Sequence, residues 1–355
     1  MLRKGTFILM KTKIQDMTSG SPGRLIILFA IPLMLGNICQ QLYTMVDTMV
    51  VGQIAGVEAL AALGAVDFLM WVVTGISTGL TQGFSIQLSQ YYGAKDFENL
   101  RKSLAHSYRL TAFIAAGVLI LSQSFASLVL TGLHTPSNII GMSLLYLRII
   151  FCGIPATAAY NMFASALRAM GNSKTPLTAM IIASVLNVSL DILFVAGFGW
   201  GVAGAAIATV IAQSFSAVYC FLILRRIDIV HLTRADFMPA SGMNVRLMKL
   251  GIPVVFQNII IGVGGLVVQY VINGYGFLFV AGFTATNKLY GLLEMAAISY
   301  GYAIVTYVGQ NLGAGKIDRI RKGVRSSMLL SLLTSLIISA AMFLFGKNIL
   351  SFFIS

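Results

Sequence analysis

Nine segments of this chain are apolar and long enough to cross a lipid bilayer. A run of ~20 apolar residues spans the hydrocarbon core as a helix. Lipid offers no partner to open backbone polar groups, so such a chain folds as a bundle of helices. The composition agrees, because 57% of the residues are hydrophobic and 10% are charged, against ~45–50% and ~25% in soluble domains. The sequence therefore predicts an all-α polytopic membrane protein with helices at 25–50, 59–90, 104–130, 138–166, 176–197, 201–224, 247–272, 279–309 and 326–345.

The net charge of +13 indicates orientation in the membrane rather than binding of nucleic acid. Almost all of the 24 Lys and Arg residues fall in the N-terminal arm or in alternate connections between the predicted helices. Such clusters mark the cytoplasmic side of membrane proteins. We therefore expect a multi-pass protein of the inner (plasma) membrane with a cytoplasmic N-terminus. Its surroundings are the lipid bilayer, and no nucleic-acid partner is expected.

A repeated motif divides the chain into two related halves. Its members recur 220 positions later: Gln90 as Gln310, Gly93 as Gly313, Ala94 as Ala314, Arg101 as Arg321 and Lys102 as Lys322. Both halves begin on the same side of the membrane, which predicts two parallel six-helix repeats around a central cavity. We expect an N-terminal arm at 1–23, a first lobe at 24–225, a linker at 226–245 and an incomplete second lobe at 246–355. That second lobe holds three helices and the start of a fourth from 348.

Four acidic residues fall within predicted membrane spans: Asp47, Asp67, Asp191 and Glu294. A carboxylate in hydrocarbon costs about 2.5–3.5 kcal/mol on insertion scales, so each one is a candidate functional residue. For Asp67, near the start of the second predicted span, a structural role is favoured. Glu294 is a candidate contact of the second lobe with an ion or substrate.

Four oxygen-bearing side chains of the first lobe converge in depth. Asn187 and Asp191 are four residues apart and share a helix face. At 1.5 Å per residue, Asp191 lies ~9 Å, Asn187 ~15 Å and Thr209 ~12 Å from the outer helix ends. Asp47 lies ~8–12 Å from the outer end of the first helix. Their oxygens suit a hard cation such as Na⁺, and two close carboxylates equally suit a proton. The ion is left open, and no other cofactor is expected.

Two prolines occupy matching places in the first and seventh predicted helices, Pro32 and Pro253. Proline removes a backbone hydrogen bond and kinks a helix. Each is either a static feature of helix shape or a hinge that bends when the ion site changes its charge.

Two motifs that resemble enzyme signatures do not support catalysis. Residues 75–79 match G-x-S-x-G, but they lie within a predicted helix, and the chain's three histidines lie at or near loops. A nucleophile elbow needs a strand, a turn and a histidine base. Residues 199–204 match G-x-G-x-x-G without the preceding strand that dinucleotide binding needs. We expect no enzyme.

Several motifs together resemble the multidrug and toxic compound extrusion (MATE) family. They are Ile31-Pro32, Val46–Gly52, Tyr91–Ala94, Arg168–Asn172, Asn187-x-x-x-Asp191 and Val308–Gly315. The resemblance covers about residues 22–345. It implies twelve helices in two six-helix lobes, and exchange of Na⁺ or H⁺ for organic cations and other amphiphiles.

The resemblance also implies roles for single residues. Asp47 matches the acid of the family's first helix, and Asn187, Asp191 and Thr209 match the rest of a cation site in the first lobe. Pro32 matches a proline linked to bending of the first helix, and Tyr43 a nearby tyrosine. Helices ten to twelve have no counterpart in this sequence, so we expect a C-terminally truncated chain of about nine helices. We also expect the protein to act as a monomer.

Two readings compete with a cation-coupled antiporter. A lipid-linked oligosaccharide flippase of the same superfold would favour Arg or Lys along the cavity, and only Arg148 and Lys288 lie within spans. A truncated remnant would insert and bind the ion through Asp47 and Asp191 without exporting substrate, because alternating access needs two complete lobes.

Overall fold

The computed structural model describes residues 14–133, 135–273 and 277–354 of the chain. Every regular element in these ranges is helical. The helices are α1 (Pro22–Val50), α2 (Val57–Gly64), α3 (Asp67–Gly93), α4 (Phe97–Gly132), α5 (Ile140–Cys152), α6 (Ile154–Ala169), α7 (Lys174–Asp191), α8 (Gly201–Leu224), α9 (Met243–Asn273), α10 (Phe277–Gly313) and α11 (Ile317–Ile354). Two π-helical turns, Val51–Ala55 and Ile192–Gly197, extend α1 and α7. Short 3₁₀ turns at Asp228–Val230 and Arg234–Phe237 lie between α8 and α9.

Length and hydropathy make most of these helices membrane spans. Among the described residues, six single helices qualify, and two bent pairs bring the number to eight. α2 and α3 meet at 40°, and α5 and α6 at 46°. The second bend has a local cause, because Pro155 in the first turn of α6 has no N–H to continue the ladder of α5.

The helices overlie all nine predicted segments, with two corrections. The second and fourth segments are each broken into two helices, because α2 precedes α3 and α5 precedes α6. The expected start of a further helix at 348 is wrong for the described residues, since 348–354 continue α11 without a break. Residues 1–13 of the predicted arm, His134 and Lys288 lie outside the residues whose side chains are described.

The first lobe has a hydrophobic core at each end. One core packs α5 against α8 and the π-helical turns around Leu147, Phe151 and Val195. The other joins α3, α4, α6 and α8 around Phe84 and Leu104. It lies near the connections 94–96, 170–173, 225–242 and 314–316, each of which contains Lys or Arg or is flanked by them within two residues, and which together define the basic end of the bundle.

The linker between the lobes is held against α4 at the basic end. Arg101 pairs with Asp236 at 3.8 Å, and Arg109 donates to the Phe237 carbonyl at 2.9 Å. The buried ring of His106 lies 2.7 Å from Asn244 Oδ1. Side-chain contacts with α4 therefore hold the predicted linker on the first lobe.

The two copies of the repeated motif touch one another between the lobes. α3 of the first lobe packs against α9 and α10 of the second. A Cβ at Gly93 would collide with the carbonyl oxygen of Gln310, and a Cβ at Gly313 with that of Gln90. The reciprocal contact places the ends of α3 and α10 side by side, and only glycine allows the backbones to approach this closely.

Candidate functional site

The four residues predicted to bind a cation lie on three helices that pack together. Asp47 is on α1, Asn187 and Asp191 are on α7, and Thr209 is on α8. α1 packs against α7, and α7 against α8. Asp191 and Asn187 are fully buried and Asp47 is 6% exposed, while Asn187 Nδ2 lies 3.5 Å from the Thr209 hydroxyl. The structure thus brings together the four residues that the sequence placed at one depth.

Most oxygens in this group have no hydrogen-bond partner. Asp47 Oδ1, Asn187 Oδ1 and both carboxylate oxygens of Asp191 are buried and unpaired. The charges of Asp47 and Asp191 also act on each other. Buried carboxylates without partners are strongly destabilising, and a bound cation or proton removes that penalty. Unpaired carboxylate and amide oxygens fit Na⁺, which favours oxygen ligands.

Each acid lies within four residues of the start of an irregular helical turn. Asp47 lies four residues before the π-helical turn 51–55, and Asp191 immediately before the turn 192–197. The two turns contact each other. π-Helical turns within α-helices are frequent at functional sites, because the widened turn changes where neighbouring side chains point. Nothing in the sequence pattern of these segments predicted them.

A tyrosine that the sequence analysis missed also belongs to this group. Tyr146 on α5 is 6% exposed and interacts electrostatically with Asp47, Asp67 and Asp191. One turn earlier, Ser143 donates to the Ala62 carbonyl at 3.1 Å and ties α5 to α2. A buried phenol needs a polar partner, and that requirement is the only sequence signal that could have pointed to Tyr146.

The remaining candidates are less closely joined to the group. Tyr43 is partly buried and close to Gln213, Gln40 and Asp47. Asp67 is exposed at the first turn of α3, where its charge acts on Asp47. Glu294 on α10 is exposed.

The two matching prolines differ in their surroundings. Pro32 is buried within α1, whereas Pro253 is exposed within α9. Pro32 precedes Asp47 by 15 positions, or ~22 Å along the helix. A kink at Pro32 therefore acts on the helix that carries one of the two buried acids.

A separate groove also lies in the first lobe. It has a volume of about 360 Å³ and lies between α4, α6 and α8. Alanine is the most frequent lining residue, and at the aromatic end the rings of Tyr108 and Phe163 meet edge to face at 5.4 Å. This apolar groove is separate from the acid group.

A bundle of membrane helices that consists of two related halves and carries buried, unpaired acids in one lobe is typical of one class of protein, the secondary transporters. Comparison with known proteins agrees with that class. The sequence model of the MatE family matches residues 32–193 and 253–355. The chain therefore belongs to the MATE family of multidrug efflux transporters, and it is no enzyme.

Two Bacillus subtilis relatives resemble nearly the whole chain. The probable multidrug resistance protein YpnP is 31% identical over 97% of this chain and 77% of its own length. The probable multidrug resistance protein YoeA is 28% identical over 96% of this chain and 75% of its own length.

Solved structures confirm the all-helical polytopic fold. A MOP superfamily transporter from Pyrococcus furiosus superimposes with a TM-score of 0.89 at 23% identity, over 95% of this chain and 75% of its own. A multidrug resistance MATE family transporter in an outward-facing conformation gives the same TM-score, identity and coverage.

Proposed function

We propose that this protein is a secondary active antiporter that exports cationic or amphiphilic organic compounds in exchange for Na⁺ or H⁺. The observation that carries the proposal is the group of buried, unpaired oxygens on Asp47, Asn187 and Asp191. An ion that enters this group neutralises charge that lipid and protein cannot stabilise otherwise. The names of the related multidrug resistance proteins support the substrate class.

The position of α1 supports coupling between the ion and the second lobe. α1 carries Asp47 and packs against α10 and α11. Its Asn37 donates to the Ser299 hydroxyl of α10 at 3.1 Å. A change in the charge of Asp47 therefore acts on a helix that contacts both lobes, which is where alternating access requires a movement.

The proposed setting is the plasma membrane, with the basic end in the cytoplasm and a single copy of the chain as the working unit. Clustering of Lys and Arg at one end of the bundle supports this orientation.

The test combines ion binding with transport. Binding of Na⁺ and release of protons are measured on the purified chain in lipid nanodiscs. Efflux of a fluorescent organic cation is measured in vesicles from cells that express the protein, under separate Na⁺ and H⁺ gradients. We expect Asp47→Asn and Asp191→Asn each to abolish ion binding and coupled efflux while insertion stays normal.

Asp228→Asn is the matched control, because Asp228 is an exposed acid of the linker. It should leave binding and efflux unchanged. Near-normal binding and efflux in both buried-acid variants would refute the ion site.

A further inference from the structure

A short segment before α1 bridges the two lobes at the basic end. We define residues 14–20 as the N-terminal strap. On the first lobe, the Gln15 N–H donates to the Gly171 carbonyl at 3.2 Å. Gly171 has a φ of +91°, and a Cβ there would collide with the Gln15 carbonyl oxygen. The turn between α6 and α7 therefore has room for the strap only because residue 171 is glycine.

The strap is held more extensively by the second lobe. Met17 is fully buried in a hydrophobic cluster between α1 and α10. The polar contacts are Met17 N–H to Gln310 Oε1 at 3.0 Å, Asn311 Nδ2 to the Met17 carbonyl at 2.9 Å, Lys316 Nζ to the Thr18 carbonyl at 2.9 Å, and an Arg319 guanidinium nitrogen to the Gly20 carbonyl at 2.9 Å. Four side chains, from the end of α10, the connection that follows it and the start of α11, thus hold the strap.

Gln310 connects all three parts of this contact. It is fully buried, and its Nε2 donates to the Ala169 carbonyl of the first lobe at 2.8 Å. Its Oε1 accepts from the strap. Its backbone packs against Gly93 at the end of α3. The ends of α3 and α10 therefore cannot separate without breaking contacts that also involve the strap.

The strap has its own local order. Asp16 accepts from the Thr18 N–H at 2.7 Å and from the Ser19 hydroxyl at 3.3 Å. Partial burial acts to raise the pKa of Asp16, but these hydrogen bonds and the charge of Lys316 outweigh it and hold that pKa below its usual range. Asp16 therefore stays charged near neutral pH, and its turn presents the strap carbonyls to Lys316 and Arg319.

We infer that the N-terminal strap is a lock on the basic end of the transporter, which must leave its place between Gly171 and Gln310 before the ends of α3 and α10 separate. The inference rests on the proposed alternating-access function. It assigns the strap a role that neither the repeated motif nor the ion site supplies. While the strap is bound, the two lobes stay joined at the end where the motif copies meet.

The experiment measures the separation of the lobes directly. Spin labels are attached to cysteines at Lys95 and Leu312, near the ends of α3 and α10, after Cys39, Cys152 and Cys220 are replaced. Distances are recorded by pulsed electron paramagnetic resonance in nanodiscs. Lys316→Gln combined with Arg319→Gln removes two charged donors to the strap, and we expect about a tenfold rise in the ratio of long to short distances.

Lys322→Gln combined with Arg321→Gln is the matched control. Both side chains are exposed on α11, two and three residues beyond Arg319, and the charge change is the same. It should leave the distances as they are. Met17→Ser disrupts the apolar contact of the strap. It provides the test if the variant with Lys316→Gln and Arg319→Gln fails to insert. Unchanged distances in an inserted strap variant would overturn the inference.

Ion binding is measured on the same samples. Unchanged distances together with normal ion binding would reject the lock and leave the proposed function standing. If the parent chain binds no ion and the strap variants still change the distances, the proposed coupling is rejected and the lock stands.

Discussion

The two buried acids are costly residues that share one small volume. About 2.5–3.5 kcal/mol is needed to insert each carboxylate into a membrane, and the unpaired oxygens of Asp47 and Asp191 recover none of it through hydrogen bonds. Asn187 and Thr209 supply a further amide and hydroxyl nearby. A cation or proton bound at this group would offset that cost, so in the proposed function ion affinity and local stability depend on the same residues.

Tyr146 offers a test of a single hydroxyl group. Tyr146→Phe keeps the ring that packs in the core around Leu147, Phe151 and Val195 but removes the hydroxyl group that interacts electrostatically with the acids. Neither oxygen of Asp191 accepts a hydrogen bond, so the phenol acts on the acids only at a distance. We therefore take the net value of a neutral hydrogen bond, about 0.5–1.5 kcal/mol, as the upper bound and expect ion affinity to change by no more than about tenfold, with little loss of thermal stability. Titration of Na⁺ and of protons in nanodiscs measures the affinity.

Tyr108→Phe is the control for that substitution. Tyr108 lines the apolar groove on α4, away from the acid group, and its variant should bind the ion as the parent does. Equal affinities in the Tyr146 variant and the parent would mean that this phenol only fills space.

Helices α1 and α7 change their winding near the buried acids. Each acid is followed by a π-helical turn, and these turns pack on each other. α1 also has a proline in its interior, whose ring removes the hydrogen bond to the Leu28 carbonyl. Hydrogen bonding along α1 is therefore weakened at two points, Pro32 and the turn 51–55. The helix can bend at these points without breaking its contacts with α7.

Pro32→Ala should slow transport more than it weakens ion binding. Alanine restores the hydrogen bond to the Leu28 carbonyl and straightens α1, while Asp47 lies ~22 Å away. Efflux rates and ion affinities measured on the same variant separate the two effects. Pro253→Ala, the exposed counterpart in α9, should have the smaller effect on transport. Turnover equal to that of the parent would make Pro32 a static feature of the helix.

At the scale of the whole molecule, the contact between the motif copies joins the lobes. Gly313→Ala forces a methyl group against the Gln90 carbonyl, and overpacking of this kind costs about 1–3 kcal/mol. We expect a lower melting temperature in detergent and more protease cleavage at the basic end. Gly117→Ala is the control, because a Cβ at Gly117 meets nothing within 4 Å. A melting temperature unchanged by Gly313→Ala would show that the contact yields easily.

The orientation of the whole bundle is tested by chemical labelling. Cysteines that replace Lys95, Arg234 or Lys316, at the basic end, should react only from the cytoplasmic side. We therefore expect labelling in inverted vesicles, whose cytoplasmic face is turned outward, and none in intact cells. Cysteines at Ser137 and Phe198, both exposed at the opposite end, should react only from outside. Labelling of the Ser137 variant from the cytoplasm alone would contradict the predicted orientation.

The sequence by itself determined the membrane class, the helix segments and the four candidate ligands of the ion site. Length and hydropathy of an apolar run are local properties, and a helix converts sequence position into depth at a constant rise. Asp47, Asn187, Asp191 and Thr209 could therefore be assigned to one level before any contact between them was known.

Only the tertiary structure decided which distant residues meet. Tyr146 lies close enough to the acids to interact with them electrostatically, on a helix that bends into α6 and is bonded to α2, and neither feature leaves a periodic signal. The repeat revealed Gln90, Gly93, Gln310 and Gly313 as equivalent positions, but not that they touch. The strap contacts at Gly171 and Gln310 join residues far apart in the chain. Such contacts depend on how finished helices pack, whereas the pattern of a segment reports only on the segment itself.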